Sequence, residues 1–182
     1  PLANVWMHAE VVMAEGKKVS RAAGNDLTLA DLTALGFDGP TVRYWLLATH
    51  YRTVLKYLPR ELERARRCVF RLNEFVARLQ DFQAGRNSPE LEQALYDART
   101  GWLNAMDNDL NVPKALGYLF LFVRRANRLI SGGELDEDQG QSILDLLNEL
   151  LEDRRYEALA RSDENQASLI DLAQDLIVIC SA

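Results

Sequence analysis

Apolar residues recur with helical spacing along most of this chain and lose that spacing only near its start. Over residues 1–27 short apolar runs are interrupted by Gly16, Gly24 and Asn25, and no helical period outlasts about one turn. An irregular connector is expected there. Thr28, with Asp31 three residues on, makes an imperfect capping box for a short helix that Gly36 stops. Gly39-Pro40 reads as a break, after which Thr41 can cap a helix with Val42, Trp45, Leu46 and Thr49 on one face. From Pro59 to about Ala84, the residues Leu62, Ala65, Val69, Leu72, Val76 and Leu79 form an apolar stripe with Arg60, Glu63, Arg67, Arg71, Glu74 and Arg78 outside it. Ser88-Pro89-Glu90 opens the next helix, which carries Leu91, Leu95, Ala98, Trp102 and Met106. Asn111-Val112-Pro113 repeats that cap logic for a helix with Leu116, Leu119, Phe120, Val123, Asn127 and Ile130, stopped at Gly132-Gly133. Further amphipathic segments cover about 136–151 and 166–179. The pattern predicts an all-α chain, an antiparallel helical bundle with short connections preceded by the irregular connector.

Composition sharpens this picture in three ways. With 182 residues and 48% hydrophobic content the chain can bury a full core. Cys68 and Cys180 lie far apart in apolar helical contexts, as expected of buried free thiols in a reducing cytoplasm. There is no apolar run of about eighteen residues and no signal-peptide pattern, so a cytoplasmic protein without a membrane span is expected. The first residue is Pro1, which suggests a fragment or a processed product.

Net charge is −6, but residues 1–78 carry 12 Lys+Arg against 8 Asp+Glu, while residues 79–182 carry 9 against 19. Any nucleic-acid face is expected mainly in the first part, since phosphate contacts need local positive charge. Arg60, Arg64, Arg67 and Arg71 recur at three- and four-residue spacing and form the best such stripe, with Arg66 beside it and Glu61, Glu63 and Glu74 interleaved. Catalysis by a side-chain nucleophile finds no support, because only His8 and His50 are available as imidazole bases. No metal site is expected: His8 and Glu10 are too few ligands for zinc, and Met106-Asp107-Asn108-Asp109 lacks the later ligands of a calcium loop.

One segment carries chemistry of its own. Gly16-Lys17-Lys18-Val19-Ser20-Arg21-Ala22-Ala23-Gly24-Asn25 resembles the KMSKS loop of class I aminoacyl-tRNA synthetases, with Val19 in place of Met and Ala22 in place of the closing Ser. Val5-Trp6-Met7-His8 precedes it. Thr41 to Arg52, including Arg43 and His50-Tyr51-Arg52, and Ala105 to Leu116, including Asn111-Val112-Pro113, follow it. In that order these segments resemble the C-terminal part of the cysteinyl-tRNA synthetase family.

The resemblance implies a KMSKS-bearing connector over residues 1–40 and a DALR-like anticodon-binding bundle over 41–182. It implies catalytic Lys18, Ser20 and Arg21, with Lys18 and Arg21 stabilising the phosphates of ATP (with Mg) and Ser20 shaping the loop through hydrogen bonds. RNA contacts would come from Arg43, Arg52, Arg60, Arg64, Arg67 and Arg71. The implied partners are tRNA(Cys), and ATP and L-cysteine through a catalytic domain this chain lacks. The HIGH-type sequence and the zinc-bearing segment are not in these 182 residues, so zinc is expected in the full-length enzyme but not here, and this chain alone is expected to be inactive. Two other readings stay open: a cysteine ligase paralogue acting on a small amine, and a free-standing helical RNA-binding or interaction module.

Overall fold

The computed structural model describes residues 6–151. The helix expected over 166–179 and Cys180 lie outside them. The described residues form two compact units, 6–69 and 70–151, each with its own apolar core.

In the first unit, β1 (Val12–Ala14) and β2 (Lys17–Lys18) pair antiparallel, and β3 (Leu55–Tyr57) pairs parallel with β1 on its other side. The hairpin turn is Glu15-Gly16, with φ of 50° and 77°. Two positive φ angles in a two-residue loop are what the twist of paired strands demands, and glycine meets the demand without strain. The expected irregular connector is therefore partly a sheet. Strands of two or three residues are too short to show a period of two, and β3 pairs with β1 from beyond the intervening helices.

The α1 helix (Leu29–Ala34) starts at a complete capping box: Thr28 Oγ1 accepts from Asp31 N–H at 3.2 Å and Asp31 Oδ2 accepts from Thr28 N–H at 2.8 Å. The α2 helix (Gly39–Leu47) corrects the sequence expectation, because Gly39-Pro40 is its first turn and not a break. Asp38, not Thr41, is the cap, its carboxylate accepting from Thr41 N–H at 3.0 Å. Proline is compatible with a first helical turn, where no intrahelical donor is needed. Leu32, Phe37, Val42, Trp45, Leu55, Leu62 and Ala65 make this unit's core, with the Trp45 and Tyr57 rings edge to face at 6.1 Å.

The α3 helix (Pro59–Gln80) ends four residues before the expected Ala84. Beyond it the chain is held extended, with Gly85 N–H donating to the Leu135 carbonyl at 2.6 Å and Arg86 N–H to that of Gly133 at 2.9 Å. The rest of the second unit is α4 (Pro89–Asp107), α5 (Val112–Ser131) and α6 (Glu137–Leu151). Contacts fix their directions. Asp97 meets Arg125 and Glu90 meets Arg128, so α4 and α5 run antiparallel; Ser88 meets Gln139 and Arg99 meets Glu149, so α6 runs with α4; Arg71 meets Phe120 and Arg78 meets Asn127, so α5 runs with the end of α3. This is an up-down-up-down bundle. Its core holds Phe75, Leu79, Leu91, Leu119, Phe122, Leu129, Ile143 and Leu146. Phe75, which lies off the expected α3 stripe, is 1% exposed, and Val69 on that stripe is only half-buried. Cys68 is likewise half-buried rather than fully enclosed.

Candidate nucleotide loop and nucleic-acid interface

Lys18 is held by the hairpin. Its strand is anchored to β1, and the next residue closes the ladder with Val19 N–H donating to the Val12 carbonyl at 2.9 Å. The chain then turns through a single 3-10 turn, Arg21–Ala23, which ends at Gly24 with φ of 67°. Asn25 bridges this loop. Its Oδ1 accepts from Ser20 N–H at 3.1 Å and its Nδ2 donates to the Lys18 carbonyl at 3.0 Å.

The expected loop-shaping bonds thus come from the Asn25 amide, while the Ser20 hydroxyl makes no cap hydrogen bond to the turn it precedes. Lys17, Lys18 and Arg21 are exposed and have no ion-pair partner among the described residues. A pinned backbone carrying unneutralised cations can receive a polyphosphate, because it offers positive charge without first breaking an internal pair. His8 is exposed, as are Trp6 (71%) and Met7 (54%), and the described residues contain no cluster of three or more metal-ligating side chains.

The expected RNA contacts occupy different environments. Arg43 is half-buried, and its Nη1 is enclosed with no hydrogen-bond partner among the described residues. His50, Tyr51 and Arg52 form one local stack. The two rings lie 4.8 Å apart, the Arg52 guanidinium sits 5.0 Å over the Tyr51 ring, and Arg52 N–H donates to His50 Nδ1 at 3.2 Å.

On α3, Arg60 and Arg64 share the Glu61 carboxylate at 3.6 and 4.0 Å, and Arg66 pairs with Glu63 at 2.7 Å while lying over the Phe37 ring. Arg67 is exposed without a partner among the described residues. Exposed pairs of this kind are weak, about 0.3–0.5 kcal/mol for neighbours on one helix, so RNA phosphate can outcompete Glu61. Arg71 stacks 5.1 Å over the Phe120 ring.

Comparison with known proteins bears on this loop and these helices together. Residues 1–67 match the family model of the class I (C) tRNA synthetase catalytic domain, and residues 101–152 match the DALR domain. Over 144 residues the chain is 35% identical to the cysteine–tRNA ligase of Protochlamydia amoebophila (strain UWE25), covering 79% of this chain and 30% of that protein. The same enzyme of Chlamydia muridarum (strain MoPn / Nigg) is 35% identical over 160 residues, 82% of this chain and 34% of that protein. That of Chlamydia pneumoniae is 38% identical over 154 residues, 82% and 32% respectively. The chain belongs to the class I cysteinyl-tRNA synthetase family.

It spans about a third of the length of the curated relatives it matches. Within this synthetase segment Lys18, Ser20, Arg21, Arg43, Arg52, Arg60, Arg64 and Arg67 all fall in the catalytic-domain match, and Arg71 falls between the two matches. That match ends close to the edge of the first compact unit, whereas the sequence reading drew its boundary after residue 40. Sequence reasoning treated Asn25 only as a loop breaker. A side-chain amide closing a loop between two glycines is the signal that could have singled it out.

Proposed function

We propose that this chain is the C-terminal portion of a cysteine–tRNA ligase, in which the Lys18–Asn25 loop contributes ATP-phosphate contacts to cysteinyl-adenylate formation and the helical part binds tRNA(Cys). The observation that carries this reading is the order along the chain: a hairpin-pinned basic loop inside the catalytic-domain match, then a four-helix bundle bearing the DALR match. Attack of the cysteine carboxylate on the α-phosphate builds negative charge on the phosphate oxygens, and Lys18 and Arg21 are the groups here that can stabilise it. Magnesium would arrive with ATP. Zinc fits no residue set among the described residues, so no step is assigned to it. On this reading the protein is cytoplasmic and this chain alone forms no adenylate.

The test is aminoacylation by the longer protein that carries this sequence. With Lys18→Ala, cysteine-dependent exchange of pyrophosphate into ATP should fall about 100-fold or more, as when an oriented charge-stabilising group is removed, with tRNA(Cys) affinity unchanged. Undiminished exchange would overturn the role of the loop. Adenylate formation without any tRNA binding would instead favour the ligase acting on a small amine.

A further inference from the structure

The second unit carries a basic recess to which the catalytic reading gives no task. Lys114, Gly117, Tyr118, Leu121 and Arg124 follow one face of α5, and with Arg71 and Phe120 they line an open recess of about 750 Å³, large enough for a nucleotide-sized group.

Three features set this face apart from an ordinary solvated helix surface. The first is charge. Arg125 and Arg128 beside it are held by Asp97 and Glu90, yet the side chains of Lys114 and Arg124 have no partner among the described residues, and Arg71 has only the Phe120 ring. The second is an exposed apolar group between the cations, Leu121 at 49%.

The third is Gly117. A helix-interior glycine weakens a helix relative to alanine, and a neighbour usually explains it. Gly101 has such a neighbour, since the Tyr118 ring occupies the place of its missing Cβ. A Cβ on Gly117 would meet nothing within 4 Å. Nothing in the described chain needs a glycine there, whereas a ligand approaching the helix backbone would.

We propose that this recess binds a short single-stranded RNA segment. Lys114 and Arg124 stand about 15 Å apart along the helix axis, a span of roughly two nucleotides of an extended strand, so they suit phosphates that are not adjacent. The Arg71–Phe120 stack and Tyr118 offer faces to an unstacked base, and Gly117 admits the sugar–phosphate chain to the helix surface. The inference rests on the tRNA reading above and names where the bundle would hold the RNA.

The experiment measures fluorescence anisotropy of labelled tRNA(Cys) and of a labelled single-stranded oligoribonucleotide, titrated with the full chain. Wild type is compared with the double variant Lys114→Ala, Arg124→Ala and with Gly117→Leu. Both variants should bind both probes about tenfold more weakly at low salt, with helical circular dichroism unchanged. The double variant should also flatten the salt dependence by about two phosphate contacts. Gly117→Leu keeps every charge, so a merely electrostatic patch would leave its affinity at the wild-type value and overturn the proposal.

Wild type binding tRNA(Cys) equally well in all variants would overturn the recess and spare the tRNA reading. Variants losing single-stranded RNA that wild type binds, with no tRNA binding by any form, would spare the recess and overturn that reading. Binding of neither probe by wild type overturns both. Competition by ATP or by a polyglutamate peptide as strong as that by RNA would assign the recess to a free nucleotide or an acidic protein segment and overturn it as an RNA site.

Discussion

Asn25 shows how a single side chain can set the geometry of a loop. It ties the Lys18 carbonyl to the Ser20 N–H, so Asn25→Ala should free the loop, seen as faster hydrogen exchange at Ser20 and a drop in adenylate formation by the longer protein with little change in melting temperature. Unchanged exchange at Ser20 would show that the hairpin alone holds the loop. Two helix glycines predict opposite outcomes for the same substitution. Gly101→Ala forces a methyl into the Tyr118 ring and should destabilise by about 1–2 kcal/mol net of the helix-propensity gain. Gly117→Ala faces open space and should stabilise by up to about 1 kcal/mol in urea or thermal unfolding. Lys18 and Arg21 stand out as candidates in the sequence because the resemblance to a short motif names them. The bridge made by Asn25 was not, since its partners are backbone groups whose positions depend on the hairpin and on Gly24.

At the scale of elements, caps and carboxylates set where helices begin and how they respond to acid. Asp136 accepts from the Asn87 side chain and from Gln139 N–H, and both bonds hold its carboxyl below the ordinary 3.8. Asp97 is lowered by Gln93 and then Arg125, and Asp31 by the Thr28 hydroxyl and N–H. A carboxyl with a lower pKa in the folded state adds stability that is full above its unfolded value and is lost as pH falls through the folded value. Melting temperature should therefore be flat from neutral pH to about 5 and fall below about 4, and Asp136→Asn should reduce the acid-induced part of that fall. A melting temperature that drops as much in the variant would remove Asp136 from the account. The starts of α4 and α5 and the α1 capping box were readable because their signals are local, although Ser88 stands at the cap of α4 without a side-chain hydrogen bond and Pro89 carries that start. The α2 start was misread because Asp38, outside the supposed break, supplies the cap, and the α3 end was misread because backbone bonds to Gly133 and Leu135 hold the chain extended after Gln80.

At the scale of the whole molecule, charge and family membership make the strongest statements. The excess of basic residues lies in residues 1–78, and Arg67 is exposed there without a carboxylate among the described residues. Charge reversal at Arg64 and Arg67 should weaken tRNA(Cys) binding with helical content intact, and the effect should shrink as salt rises. Equal affinity at moderate salt would remove that stripe from the RNA face. By itself the sequence determined that most of the chain is helical, where most helices begin, and which synthetase family it belongs to, because helical periodicity, capping chemistry and short motifs are written in residues close together. Only the tertiary structure decided the three-stranded sheet, the Asn25 clamp, and which arginines have no carboxylate partner among the described residues. The sheet depends on strands brought together from separate parts of the chain, and the Asn25 clamp on a turn geometry that the hairpin sets, which periodicity and motifs do not carry.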